Sequence, residues 1–158
     1  MNSELPLLLA FGIGVVAGLR SFTAPAVVAW AAHLGWINLH HSILAFMGSK
    51  WTVGILTVLA LFEFVADQLP STPPRTGAVG LSARIVTGAL TGASLAAAGG
   101  ATLLLGALIG SVGGVVGAFA GYHARVGLVR GLRVPDFAVA LPEDALAIGL
   151  GLFLVSRF

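Results

Sequence analysis

Cysteine is absent from the 158-residue chain, which excludes disulfides, thiolate metal sites and thiol catalysis. Charge is nearly as scarce. Eight Lys or Arg and six Asp or Glu make up 9% of the residues, against about 25% in a soluble domain. A body of this size could not cover its surface with so few polar groups, so a water-soluble monomer is excluded. Disorder is excluded by an apolar content of 58%. The net charge of +2 comes from arginines dispersed along the chain, so no basic patch suits nucleic acid. What is abundant is glycine, 22 residues set largely in long uncharged runs. The chain reads as an all-α, polytopic membrane bundle, one domain over residues 1–158 with the bilayer as its first partner.

Enzyme signatures are missing too. There is no His-Glu-x-x-His, no Gly-x-Ser-x-Gly and no Walker loop. The histidines (33, 40, 41 and 123) are scattered, and the His40-His41 pair reads as a solvated loop rather than a metal site. No enzyme activity, cofactor or metal is expected. A cleavable signal is not expected either, because Met1-Asn-Ser-Glu4 lacks a basic residue before the apolar run and Arg20 interrupts the cleavage region.

Uncharged runs set the spans. Ile85 to Ala124 is uncharged and would make one helix of roughly 60 Å, about twice a hydrocarbon core of ~30 Å. It must fold back, and Gly99-Gly100 supplies the turn. Helices are expected near 79–98, with Arg84 snorkelling at its start, and near 101–122. A third, 51–69, ends at the loop Pro70-Ser-Thr-Pro-Pro-Arg75. Residues 5–35 form either one interrupted span or two short helices meeting near Arg20. A last helix is expected to open at Pro142-Glu143-Asp144, with proline at its first position and acids in its first turn.

Six segments, some short, suggest halves 1–69 and 79–158 joined by the Pro-rich loop 70–78. Three plus three with opposite orientation is the pattern of an inverted repeat. Basic residues orient it: Arg20, Arg75, Arg84, Arg125, Arg130 and Arg133 fall on one side, Lys50 and Arg157 on the other. The first side is expected to be cytoplasmic. Trp30, Trp36 and Trp51 flank the opposite loop like an interfacial belt.

Three groups of residues could carry function. The first is Gly18-Leu-Arg-Ser-Phe-Thr-Ala-Pro25, where Ser21 or Thr23 can cap a helix starting beside Arg20. Free amides at a positive dipole end, next to a guanidinium, suit a carboxylate, a phosphate or a lipid headgroup. Against this, Arg20 can simply neutralise an acid or snorkel. The second is Glu63 and Asp67, four apart on one helical face, which suit a proton or cation site or an ion-pair network with Arg20 or Arg84. Tyr122-His123-Ala-Arg125 and Glu143-Asp144 would converge on the same cytoplasmic vestibule, while Arg125, Arg130 and Arg133 serve topology and anionic-lipid contact. The third is a pair of glycine ridges, Gly106/Gly110/Gly114 and Gly113/Gly117/Gly121, echoed by Gly14/Gly18 and Gly88/Gly92. Such spacing lets membrane helices approach closely, either within the bundle or in a homodimer.

Together, Gly18-Leu-Arg-Ser-Phe-Thr-Ala-Pro-Ala with Trp30, and Glu63-x-x-x-Asp67-x-x-Pro70-x-x-Pro73-x-Arg75, resemble a family of small bacterial integral membrane proteins catalogued as a domain of unknown function. The resemblance implies a bacterial inner-membrane location and no established activity. Two readings stay open. One is a small transporter or permease for an anionic solute, an ion or a lipid phosphate, with its site at Arg20, Ser21, Thr23, Glu63, Asp67 and Arg84. The other is a non-transporting scaffold packed through the glycine ridges.

Overall fold

The computed structural model describes residues 4–67 and 76–158. The Pro-rich loop from Pro70 to Arg75, and with it one of the six orienting arginines, lies outside the described residues. Six α-helices are found among those described: α1 (Glu4–Leu19), α2 (Thr23–His33), α3 (Lys50–Ala66), α4 (Ala78–Ala98), α5 (Leu103–Leu132) and α6 (Asp136–Val155). α4, α5 and α6 are long and apolar enough to cross a membrane.

Residues 5–35 are two helices. α1 has 16 residues and α2 only 11, so they reach about 24 Å and 16 Å, each short of a ~30 Å hydrocarbon core. The chain reverses between them. α1 runs alongside α5 in the same direction, with Gly14 against Gly110 and Gly18 against Gly114 and Gly117. α6 packs against α1 and α2, antiparallel to the first, bringing Leu154 to Gly12 and Gly151 to Val27. The α4–α5 turn uses Gly100 at φ 76°, a left-handed conformation that costs glycine little.

Two helix boundaries differ from the sequence expectation. α5 continues ten residues past 122, because nothing from His123 to Leu132 breaks a helix and only Pro135 ends the run. α6 therefore starts at Asp136, and Pro142 lies inside it. The start signal is real but sits seven residues upstream: Pro135 precedes Asp136, the acid of the first turn. The 34–49 segment also departs from a simple external loop. Ile37, Leu39, Leu44 and Met47 are buried in the same core as Ile13, Val16, Val28, Leu95 and Val155. Trp30 is drawn to the flank of α3, where its Nε1 donates to Thr57 Oγ1 at 3.0 Å.

α1, α4 and α5 pack against one another, with α5 lying along both of the others. Its first ridge meets α4: a Cβ on Gly106, Gly110 or Gly114 would strike the backbone oxygen of Gly92, Gly88 or Arg84. Its second meets α1, where a Cβ on Gly113 or Gly117 would strike Phe11 O or Val15 O. Gly121, next on that ridge, is buried as well. Without side chains between them, the backbones touch, and dispersion acts over the full length of contact.

Candidate functional site

The turn between α1 and α2 collects the ionisable groups. Arg20 follows the last residue of α1 and is fully buried. A guanidinium in a bundle interior needs partners of opposite charge. It has two: Nη1 donates to Asp67 Oδ2 at the end of α3, and Nη2 forms an ion pair with Asp144 Oδ1 on α6. The ring of Phe64 stacks against it, with its centroid 5.7 Å from Cζ. One cation thus ties the α1–α2 break to two other helices.

Glu63 does a different job. Its two carboxylate oxygens accept hydrogen bonds from the backbone amides of Ser21 at 2.7 Å and Phe22 at 2.9 Å. These amides precede α2, whose N-cap, Phe22, has no capping side chain of its own. The expectation that Ser21 or Thr23 caps this helix is corrected: α3 supplies the cap from outside, in a carboxylate that also suits the positive end of the dipole. Thr23 is buried with no hydrogen-bond partner for its Oγ1, and Arg20 Nε is likewise without one.

Arg84 does not snorkel. It is buried on α4, where Nε donates to Gly18 O at 3.0 Å and Nη1 to Gly80 O at 2.9 Å, while Nη2 stands 3.9 Å from Glu63 Oε1. Its place follows from the glycines. Gly114 lets the α4 backbone at Arg84 lie against α5, and Gly18 lets α1 do so alongside. An outer layer continues the cluster: Arg125 Nε donates to Asp136 Oδ1 at 2.8 Å, and Nη1 lies 3.6 Å from Glu143 Oε2. This bond fastens the overhanging end of α5 to the start of α6.

The sequence-expected residues Arg20, Ser21, Glu63, Asp67 and Arg84 are therefore brought together, and Thr23 sits at the same turn. Two of the pairs belong to the ion-pair network expected of Glu63 and Asp67 with Arg20 or Arg84, and the pair with Asp144 is additional. Arg20 engages Asp67 and Asp144, and Glu63 engages the α2 amides and Arg84. Asp144 is the partner that sequence reasoning placed nearby without assigning to the site. The available signal was an acid pair in an otherwise apolar stretch; the mistaken helix start at Pro142 disguised it as a first-turn acid. His40 and His41 are exposed in the 34–49 segment, and no group of three metal-ligating side chains forms among the described residues.

Glu63→Gln is expected to lower stability by roughly 1–2 kcal/mol, since the charge-assisted cap weakens while an amide can still accept one bond. Unfolding in detergent gives the size. Faster amide exchange at Ser21 and Phe22 would place the loss at this cap; unchanged exchange there would remove the assignment.

Fold and site together define a helical membrane protein with a buried ionic junction between two helices too short to span. The chain belongs to the family described as Domain of unknown function (DUF4126), whose model matches residues 7–156. No curated protein and no solved structure matches the chain.

Proposed function

We propose that the protein is a small bacterial inner-membrane permease for an anionic solute, whose site is held shut by the chain's own carboxylates. The observation that carries this reading is the filling of an anion site from within. The α2 amides and Arg20 form the arrangement expected to receive an anion, and Glu63, Asp67 and Asp144 occupy it. Buried ion pairs seldom stabilise a fold more than apolar packing of the same volume. Five charges drawn from the α1–α2 turn and from α3, α4 and α6, at a break in the first span, are therefore better explained by work than by stability. Protonation of Asp67 and Asp144, or their displacement by a solute anion, would free the guanidinium, and the same change at Glu63 would free the amides. This mechanism needs no exact internal repeat. α4 and α5 pack along their lengths while α1 and α2 touch little, so the two halves would be related by opposed topology rather than by matching structure.

A scaffold reading is favoured by one observation, the complete enclosure of Arg20. Cysteine accessibility separates the two. In the Cys-free chain, Thr23→Cys is nearly the same size as the native residue and probes the junction directly. The permease is expected to open often enough for a membrane-impermeant maleimide to react from the cytoplasmic side. A cysteine that reacts only after denaturation would favour the scaffold. Two exposed controls, His41→Cys and Gly131→Cys, set the orientation: they are expected to label from opposite sides, with Gly131 cytoplasmic as the arginine distribution requires. Labelling of both from one side would overturn the topology.

A further inference from the structure

Two anion positions adjoin each other at the α1–α2 turn. The first is the pair of amides of Ser21 and Phe22, and Glu63 fills it with one carboxylate oxygen on each, at 2.7 Å and 2.9 Å. The second is the guanidinium of the preceding residue, Arg20, which Asp67 and Asp144 share. Glu63 and Asp67 reach the two positions from one turn apart at the end of α3, a rise of about 6 Å.

The second position is only half used. Nε and Nη2 form the lateral edge of the guanidinium, the fork that fits a carboxylate with two parallel bonds. Arg20 is fully buried, yet among the described residues neither atom of this edge makes a hydrogen bond, although Nη2 is in ion-pair contact with Asp144 Oδ1. Thr23 Oγ1, buried in the first turn of α2, is also without a partner. Buried donors are nearly always satisfied, so an open guanidinium edge beside a filled amide pair points to a ligand.

Charge sets the kind of ligand. The junction holds three carboxylates, Glu63, Asp67 and Asp144, against two guanidinium groups, Arg20 and Arg84, and Arg84 Nη2 stands 3.9 Å from Glu63 Oε1. With the carboxylates protonated or swung aside, two positive charges and the positive end of α2 remain. A monoanion would leave one buried guanidinium uncompensated, which is costly. A dianion balances both.

We infer that the site takes a short dicarboxylate, one carboxylate on the Ser21 and Phe22 amides beside Arg84 and the other bidentate on Arg20 Nε and Nη2. The inference rests on the permease reading and adds to it the valence and the reach of the solute. Glu63 already shows that the first position accepts a carboxylate through both oxygens. A single-centre dianion such as hydrogen phosphate carries the charge but cannot span two positions about a helical turn apart.

The test is calorimetric titration of the full-length protein, in mild detergent at neutral pH, with succinate, glutarate, butyrate and inorganic phosphate. The better of the two dicarboxylates is expected to bind roughly tenfold or more tighter than butyrate, which has one carboxylate on a chain of similar length, and tighter than phosphate. Arg84→Gln is expected to bring the dicarboxylates to within about threefold of butyrate. Arg84→Lys, which keeps the charge, is expected to retain most of the preference. Butyrate or phosphate bound as tightly as the dicarboxylates would overturn the inference and leave the permease reading standing. A dicarboxylate preference that survives Arg84→Gln intact would overturn it too. Binding of none of the four would also overturn it, and uptake into proteoliposomes would then judge the permease reading by itself. Should neither Arg84 variant fold, the ligand series on the native chain decides.

Discussion

Arg20→Ala is expected to cost about 3–5 kcal/mol of stability, the penalty for stranding buried charge when one partner of a network is removed. Asp67 and Asp144 would both lose their cation, and each would have to take up a proton or draw in water. The structure names the second-site change that should relieve this. Asp144→Asn removes one of the two stranded carboxylates and is expected to restore about half of the loss. Glu63→Gln is expected to restore nothing, because Glu63 bonds the Ser21 and Phe22 amides and neighbours Arg84 rather than Arg20. A double-mutant cycle on detergent unfolding measures both. Equal rescue by the two changes would mean that the five charges act as an undifferentiated pool, and the pairing described here would be wrong.

Gly110→Leu is the second substitution with a large expected effect. Gly110 faces two helices at once: its own Cβ would strike Gly88 O on α4, and its backbone blocks a Cβ on Gly14 of α1. A leucine there must push α4 and α5 apart, and rigid backbone on the far side offers no rotamer to yield. The cost is expected to reach or exceed the usual ~1–3 kcal/mol of overpacking and to leave little folded protein. Gly117→Leu should act similarly through Val15 O. Gly12→Leu should be milder, since a Cβ there meets only the end of the Leu154 side chain, at 3.0 Å. Gly131→Leu meets nothing within 4 Å and should be neutral or slightly stabilising, as glycine is a poor helix former. Monodisperse yield and thermal stability of the four variants check the order. Similar behaviour of Gly110→Leu and Gly12→Leu would refute the close approach of the backbones.

Much of this was legible in the sequence because hydrocarbon is a demanding solvent. Few charges, uncharged runs and a Gly-Gly turn sufficed for the helical bundle, for the reversal at Gly100 and for the meeting of polar residues at one end. The glycine spacing likewise pointed to contact on both sides of α5. What could not be read was detail that depends on a neighbour. Bilayer thickness suggested that α5 would stop near 122, but a helix continues until something breaks it, and Arg125 pairing with Asp136 holds the overhang to α6. The hydrophobic burial of Ile37, Leu39 and Met47 compensates for the shortness of α2, a tertiary fact with no local signature. The cap on α2 comes from Glu63, some forty residues away, so a search for a local Ser or Thr could not find it. Such long-range satisfaction of helix ends is the general reason that sites at broken helices are under-read from sequence.

The most direct measurement is uptake into proteoliposomes of small carboxylates and inorganic phosphate under an imposed pH gradient, comparing the native chain with Arg20→Ala/Asp144→Asn. The native protein is expected to accumulate at least one of these anions above empty liposomes. The double variant, with much of its stability regained, is expected to take up none, because the guanidinium that would receive the anion is gone. Uptake by the double variant at the native rate would contradict the claim that Arg20 serves an anion, and would leave it a structural counter-ion.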